Sequence, residues 1–175
     1  MISKNSSLID IAFEVSTALN DVGITAVLTG GSAATYYAPH AYQSADLDFV
    51  ITFRGNQKGE EALSRLGYIR TNDYYKHPDS KFPLEFPPGP LAIGDDQVES
   101  WDTVKRNELL LHILSPTDCC RDRLCAFLFW NDFSGLEQAL AVYQTQKSGI
   151  NLEVIEQWCE RENSTQKYEL FLART

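Results

Sequence analysis

The sequence contains no run of the roughly 18 consecutive apolar residues that a membrane-spanning helix requires. Its first residues, Met1-Ile2-Ser3-Lys4, lack the apolar stretch of a secretory signal peptide. We therefore expect a soluble, cytoplasmic protein with no membrane partner. The 175 residues are 43% hydrophobic and 22% charged, a composition typical of one globular unit with a substantial core.

Cysteine is scarce and is not arranged for a metal site. The four cysteines form no CxxC pair, and the three histidines share no ligand spacing with them. Three cysteines, Cys119, Cys120 and Cys125, fall within one helical pattern, and Cys159 follows later. The spacing argues against zinc and predicts structural thiols.

Clusters of basic residues are also missing. No Lys/Arg run is longer than a dipeptide, and 24 acidic against 15 basic residues give a net charge of −9. Nonspecific binding to nucleic acid depends on grouped cations that displace counterions from the phosphates. A nucleic-acid substrate would thus need a local patch assembled by the fold, and a protein or small-molecule substrate is easier to accommodate.

The pattern along the chain changes at Ser115. Residues 1–114 mix helical and strand periodicities and predict an α/β core, whereas residues 115–175 predict a helical layer packed on that core in a single compact unit. In the first part we predict a helix capped by Ser7 and stopped by Gly23, a strand over 24–28, a short helix over 32–38 and a strand over 46–53.

Further elements follow at the sites of turn and cap residues. After a break at Gly55 and Asn56 we predict a helix over 57–66, strands over 68–70, 74–76, 82–86 and 108–114, and a rigid turn at Pro87-Pro88-Gly89-Pro90. Helix starts are predicted at Ser115-Pro116, at Ser134 with Glu137 as a capping box, at Asn151 and at Ser164. Trp130 and Trp158 are predicted to pack in the core, and Asp118, Asp122 and Asp132 to be cap and surface charges.

Thr29-Gly30-Gly31-Ser32 lies between a predicted strand and a predicted short helix. Glycines at the end of a strand let backbone N–H groups approach a phosphate closely, and the N-terminus of the following helix adds partial positive charge. The hydroxyl of Ser32 offers one more donor. The segment therefore predicts a phosphate site.

Asp46 and Asp48 follow on the next predicted strand. Alternation along that strand puts the two carboxylates on one face, about 6.5–7 Å apart, and turns Leu47 and Phe49 into the core. Two carboxylates on one face repel each other unless cations join them. The pair suits two Mg²⁺ ions roughly 3.5–4 Å apart, one activating an attacking hydroxyl and the other holding the phosphates of a nucleotide.

Glu85 is the predicted third carboxylate of this site. Phe82, Leu84 and Phe86 point one way along their strand and leave Glu85 on the opposite face, and Pro83 predicts that the strand is at a sheet edge. Three other carboxylates remain as weaker alternatives for this role: Asp73, Asp95 and Asp96.

Gly30-Gly31-Ser32, thirteen intervening residues and then Asp46-Leu47-Asp48-Phe49 resemble the signature of the polymerase-beta-like nucleotidyltransferase superfamily. A weaker echo follows at residues 113–118 with Arg123-Leu124, and small stand-alone bacterial members, toxin-like ones included, are similar in layout. The resemblance implies an α+β fold in which a mixed β-sheet is flanked by helices and followed by a helical layer. It also implies an enzyme that moves a nucleoside monophosphate from an NTP to an acceptor hydroxyl.

The resemblance further implies a role for each site residue. Asp46, Asp48 and Glu85 would be catalytic and would bind Mg²⁺, while Gly30, Gly31, Ser32 and Arg123 would bind the phosphates of the NTP. Relatives often carry a lysine where this chain has Arg123. Arginine still holds phosphate through its planar fork, but the departure puts the efficiency of catalysis in question, and Lys81 or Arg121 would be substitutes.

The acceptor is left open among tRNA, a protein and a small molecule. The layout favours a toxin-like enzyme restrained by a protein partner, with antibiotic adenylylation as the next option. Because of Arg123, a catalytically degenerate binding or regulatory module is the alternative. A third hypothesis is an antitoxin-type partner whose acidic surface covers a basic protein.

Overall fold

The computed structural model describes residues 2–54 and 58–175, and no helix in these ranges is long and apolar enough to cross a membrane. The predicted break at Gly55 and Asn56, and the predicted helix start at residue 57, lie outside the described residues. The helices are α1 (Leu8–Asn20), α2 (Gly30–Tyr37), α3 (Gly59–Arg65), α4 (Pro116–Trp130), α5 (Phe133–Gln146), α6 (Leu152–Arg161) and α7 (Thr165–Leu172), with a 3-10 turn over Lys147–Gly149. The strands are β1 (Ile24–Thr29), β2 (Leu47–Arg54), β3 (Ile69–Thr71), β4 (Tyr74–Lys76), β5 (Leu84–Glu85), β6 (Ala92–Ile93), β7 (Asp96–Gln97), β8 (Asp102–Arg106) and β9 (Leu109–Ile113).

A seven-stranded sheet in the order β3-β4-β5-β2-β1-β9-β8 forms the centre of the fold, and β6 and β7 make a separate hairpin. The sheet is mixed, since β1 runs antiparallel to β2 but parallel to β9, and β2 runs parallel to β5. Helices flank this sheet. The predicted α+β class with a mixed sheet is confirmed.

The two central strands are the most deeply buried part of the sheet. Val27 and Leu28 on β1, and Leu47 and Phe49 on β2, are all at 0–1% exposure, as the alternation along β2 predicted. The register pairs Thr29 with Asp48. The end of β1, and therefore the start of α2, lies directly beside Asp48.

Helix α1 starts as the sequence predicts. The hydroxyl of Ser7 accepts from the N–H of Asp10, and the Asp10 carboxylate accepts from the N–H of Ser7, which completes a capping box. Farther along the helix, the Thr17 hydroxyl donates to the carbonyl of Leu110 and accepts from its N–H. This pair of hydrogen bonds fastens α1 to β9.

Helices α4 to α7 form the predicted layer after Ser115, whose hydroxyl caps α4 by accepting from the N–H of Asp118. Trp158 and Phe127 are buried there, as is Phe171. Three of the four cysteines are buried, Cys125 is half-buried, and all four are free thiols, which agrees with a structural role.

Strand β5 is in the interior of the sheet and not at its edge, so the inference from Pro83 is wrong. β5 pairs with β2 on one side and with β4 on the other. Pro83 precedes the strand, and its carbonyl accepts from the N–H of Leu47 at 3.0 Å. The missing N–H of a proline costs nothing at a position where only its carbonyl is used in pairing.

Two other predictions are corrected by the structure. Trp130 is 74% exposed because it ends α4, next to Asn131 in the left-handed region, whereas Trp158 is fully buried as predicted. Helix α5 is capped by Asp132, which accepts from the N–H of Ser134 at 2.8 Å, so Ser134 is not the cap. The strand predicted over 108–114 is confirmed as β9, which forms a hairpin with β8, a strand that was not predicted.

Candidate functional site

Gly30 opens α2 directly at the end of β1, in the first turn of the helix and two residues before the predicted start. Its φ of +64° lies in the left-handed region, and a Cβ there would approach the Asp48 Oδ2 atom to 2.6 Å. A Cβ on Gly31 would meet the Tyr42 and Ser44 hydroxyls at 2.9 Å. Glycine is required at position 30 because only it permits this close approach of the backbone to a carboxylate.

Ser32 is fully buried between β1 and β2. Its hydroxyl donates to the carbonyl of Thr29 at 2.8 Å and accepts from the N–H of Asp48 at 3.2 Å. The hydroxyl therefore holds the aspartate-bearing strand against the start of α2. Its predicted role as a phosphate donor would require the hydroxyl to leave Thr29.

Asp48 and Glu85 are register partners on the adjacent parallel strands β2 and β5, so their side chains leave the same face side by side. Asp46 lies in the bend just before β2, and its Oδ1 accepts from the Ser44 hydroxyl at 2.9 Å. Asp46 and Asp48 are half-buried, while Glu85 is exposed. The other two predicted carboxylates, Asp46 and Glu85, thus lie near Asp48.

The burial and the charges around Asp48 change the pKa of its carboxyl group. Burial, and then the negative charges of Asp46 and Glu85, raise the pKa of Asp48 from 3.8 to about 6. Arg123 acts in the opposite direction, and Asp122 adds to the increase. The site holds more negative charge than its protein neighbours offset, which favours a cation at this point.

The oxygen donors at the site are of the kind that Mg²⁺, the cation implied by the resemblance, prefers. In the described part of the chain, no group of three or more His, Cys, Asp or Glu side chains could hold a metal ion together. Mg²⁺, however, is commonly bound through one or two carboxylates, with substrate phosphates and water as its remaining ligands. Hard oxygen donors at Asp48 and its two neighbours fit an ion that arrives with a nucleotide, and not a resident ion in an all-protein cage.

Helix α4 brings two charged residues to the same site. Asp122 Oδ2 accepts from the Gly30 N–H at 3.2 Å, and the same atom accepts from Arg123 Nε at 3.0 Å and Arg123 Nη2 at 2.7 Å. Arg123 Nη1 donates to Gln138 at 3.2 Å. Burial disfavours the guanidinium charge, but Asp122 and Asp48 more than offset this and raise the pKa of Arg123.

Asp122 is the residue that the sequence analysis missed. It was predicted to be a surface charge, yet it is half-buried and accepts from the backbone at the start of α2. The only signal in the sequence was its position next to Arg123, and that signal shows nothing about which way α4 faces. The prediction for Asp122 is wrong because the burial of this side chain depends on how α4 packs on α2, which the sequence does not show.

Three of the alternatives named for the site residues, Asp96, Arg121 and Lys81, make their contacts elsewhere. Arg121 pairs with Asp96 at 2.5 Å and with Asp118 at 2.9 Å, and Asp96 also pairs with Arg161. Lys81 is exposed and lies over the ring of Phe82. The charges that act on Asp48 come from Asp46, Glu85, Arg123 and Asp122, and none of the alternatives is among them.

No family model matches the sequence, and no curated protein matches it. The fold matches that of an antigenic nucleotidyltransferase-like protein from Paracoccidioides brasiliensis, with a TM-score of 0.59 and 14% sequence identity. The match covers 96% of this chain and 95% of that chain. At this identity the match establishes a shared fold, and it confirms the predicted nucleotidyltransferase-type architecture along nearly the whole chain.

Proposed function

We propose that this protein is a Mg²⁺-dependent nucleotidyltransferase, which moves a nucleoside monophosphate from an NTP to an acceptor hydroxyl and releases pyrophosphate. The observation that carries the proposal is the placement of Asp46 and Glu85 near Asp48, which lies beside Gly30 at the start of α2. The shared fold supports the proposal. In addition, burial and then the charges of Asp46 and Glu85 raise the pKa of Asp48, and a bound Mg²⁺ would relieve the repulsion among these carboxylates.

Each residue has a role in this reaction. The backbone N–H groups of Gly30 and Gly31 would bind phosphate oxygens at the N-terminus of α2. Two Mg²⁺ ions, when bound with the NTP at Asp46, Asp48 and Glu85, would neutralise phosphate charge and activate the acceptor hydroxyl. Arg123 would stabilise the charge that builds on the departing pyrophosphate.

The chemistry is an in-line displacement at the α-phosphorus. The acceptor oxygen forms a bond to that phosphorus, the bond to the bridging oxygen of the β-phosphate breaks, and pyrophosphate leaves with the bonding pair. The acceptor must also lose a proton. Glu85 is the exposed member of the cluster, so an acceptor entering from solvent would reach this carboxylate first.

The charge of the chain bears on the class of acceptor. A net charge of −9 favours a protein or small molecule over tRNA, because the chain shows no grouped cations in its sequence. Within this proposal, a cytoplasmic toxin-like enzyme restrained by a protein partner is the version that the motif layout favours.

Isothermal titration with each of the four NTPs, with and without Mg²⁺, tests the nucleotide site. We expect Mg²⁺-dependent binding that the double variant Asp46→Asn/Asp48→Asn loses and the exposed control Asp79→Asn retains. Pyrophosphate release with candidate acceptors then tests turnover. If no NTP binds in the presence of Mg²⁺, the proposal is rejected.

A second function, a degenerate module that binds nucleotides or regulates a partner without turnover, is favoured by one observation. Asp122 accepts from the Gly30 N–H, where a phosphate oxygen would be bound. Such a module would bind Mg²⁺·NTP but release no pyrophosphate with any acceptor class. The same titration and release assays separate the two functions.

A further inference from the structure

We propose that Asp122 is an internal competitor for the phosphate of the nucleotide: it occupies the Gly30 N–H and binds Arg123, and phosphate must displace it from both. This inference rests on the proposed function, because it concerns the same phosphate site. It assigns that site a closed state, in which the donors are satisfied by the protein's own carboxylate, and an open state, in which they face the ligand.

The contacts define the competition. One oxygen of Asp122, Oδ2, accepts from the Gly30 N–H and from two N–H groups of Arg123, at 3.2, 3.0 and 2.7 Å. These are donors that the phosphates of an NTP would use. A phosphate oxygen cannot occupy the same point as Oδ2, and two anions in contact at a half-buried position repel each other.

The geometry also links the two donors to each other. Gly30 belongs to α2 and Arg123 to α4, and the same Asp122 oxygen accepts from both residues. When phosphate takes the Gly30 N–H, Asp122 loses one of its three donors, and Arg123 can turn its planar fork to the phosphate. Gln138 remains bonded to Nη1 and keeps the guanidinium near the cleft.

A purely structural role is the competing explanation. In that case Asp122 is a clamp that joins α2 to α4 and orients Arg123, and removing its charge would loosen the site. The two explanations predict opposite changes in affinity. A clamp makes phosphate binding weaker when Asp122 is neutralised, and a competitor makes it tighter.

The probe is inorganic pyrophosphate, titrated into the full chain while the Gly30 amide resonance is followed by ¹⁵N NMR. The test variant is Asp122→Asn, which keeps the shape of the side chain and removes its charge. The matched control is Asp118→Asn, four residues earlier on α4, where the carboxylate pairs with Arg121. The combined variant Asp122→Asn/Arg123→Met tests whether the gain depends on Arg123.

We expect Asp122→Asn to bind pyrophosphate about tenfold more tightly than wild type, a typical size for the loss of one charge-assisted competitor. The Asp118→Asn control should match wild type, and the combined variant should lose most of the gain. Equal or weaker binding by Asp122→Asn would overturn the inference and favour the clamp, as would the absence of any pyrophosphate binding in both proteins.

The wild-type titration tests the inference even if the variant does not fold. Pyrophosphate should shift the Gly30 amide and the Arg123 Nε–H resonance together and saturably, and a shift of Gly30 alone would contradict the linkage. Failure of the proposed function is distinguishable. Tighter pyrophosphate binding without turnover of any NTP would leave Asp122 as a competitor and reject the enzyme.

Discussion

Asp48→Asn should make the protein more stable at neutral pH, although it removes the central residue of the candidate site. In the folded protein, burial and the charges of Asp46 and Glu85 raise the pKa of Asp48 from 3.8 to about 6. The ionised form of Asp48 therefore lowers the free energy of unfolding. In the described part of the chain, the carboxylate of Asp48 makes no hydrogen bond or ion pair that asparagine would lose.

The magnitude follows from the size of the pKa change. An increase from 3.8 to about 6 corresponds to an upper bound of about 3 kcal/mol at pH 7. Asp48 is only half-buried, so solvent screening reduces the expected gain to about 1–2 kcal/mol. For a domain of this size, that gain raises the melting temperature by about 2–8 °C.

The pH dependence gives the prediction its sign. A folded-state pKa above the unfolded value means that Asp48 contributes stability below about pH 4, where it is protonated in both states, and that this contribution is lost as the pH rises through about 6. Asparagine does not titrate. The advantage of Asp48→Asn should therefore be near zero at pH 4 and complete at pH 7.

The assay is urea denaturation of wild type and Asp48→Asn at pH 4, 5, 6 and 7, with Asp79→Asn as the exposed control. The control should remain within about 0.5 kcal/mol of wild type at every pH. A variant that is less stable than wild type at pH 7, or an advantage that does not shrink toward pH 4, would refute the electrostatic reasoning.

Three further outcomes are expected. Gly30→Ala should cost at least about 1–2 kcal/mol of folding free energy and abolish NTP binding, because its φ is +64° and its Cβ would lie 2.6 Å from Asp48. Gly149→Ala should be nearly neutral in denaturation and titration, because its Cβ would meet Pro116 at the ordinary contact distances of 3.5 and 3.8 Å. Trp158→Ala should lower the free energy of unfolding by about 3–5 kcal/mol, because Trp158 is fully buried. Trp130 is 74% exposed, so Trp130→Ala should change the free energy of unfolding by less than about 0.5 kcal/mol, and equal effects of the two variants would contradict this difference in burial. Burial raises the pKa of all four cysteine thiols, to about 12 for Cys125 and Cys159. Native protein at pH 8 should therefore react slowly with a thiol reagent and unfolded protein rapidly, and fast labelling of several native thiols would contradict this.

Much of the site was predictable because local rules determine it. Strand alternation decides which way Asp48 points, since Leu47 and Phe49 must enter the core. The same rule selected Glu85 from its apolar neighbours. Asp48 and Glu85 both had to leave the polar face of the sheet, so adjacency of β2 and β5 is enough to bring the two side chains near each other. The sequence does not show the register that pairs them.

The errors share a different origin. Strand β8 was missed because its residues are polar and mostly exposed at the edge of the sheet, so no apolar alternation marks it. Trp130 has the apolar character of a core residue, but its burial depends on where α4 ends. Asp122 depends on the rotation of α4 against α2. In each of these cases long-range packing decides the outcome, and local sequence carries no record of it.

The helical layer is therefore part of the candidate site as well as a cover for the sheet. A Cβ on Gly135 would lie 2.6 Å from the carbonyl oxygen of Arg123, so α5 approaches α4 closely at Arg123, and Gln138 on α5 accepts from its guanidinium. A chain that ended at residue 114 would keep Asp46, Asp48 and Glu85 but lose both Asp122 and Arg123. In the proposed function the phosphate donors and their competitor come from α2 and α4, so the affinity for nucleotide would depend on helix packing after Ser115 as much as on Asp46 and Asp48.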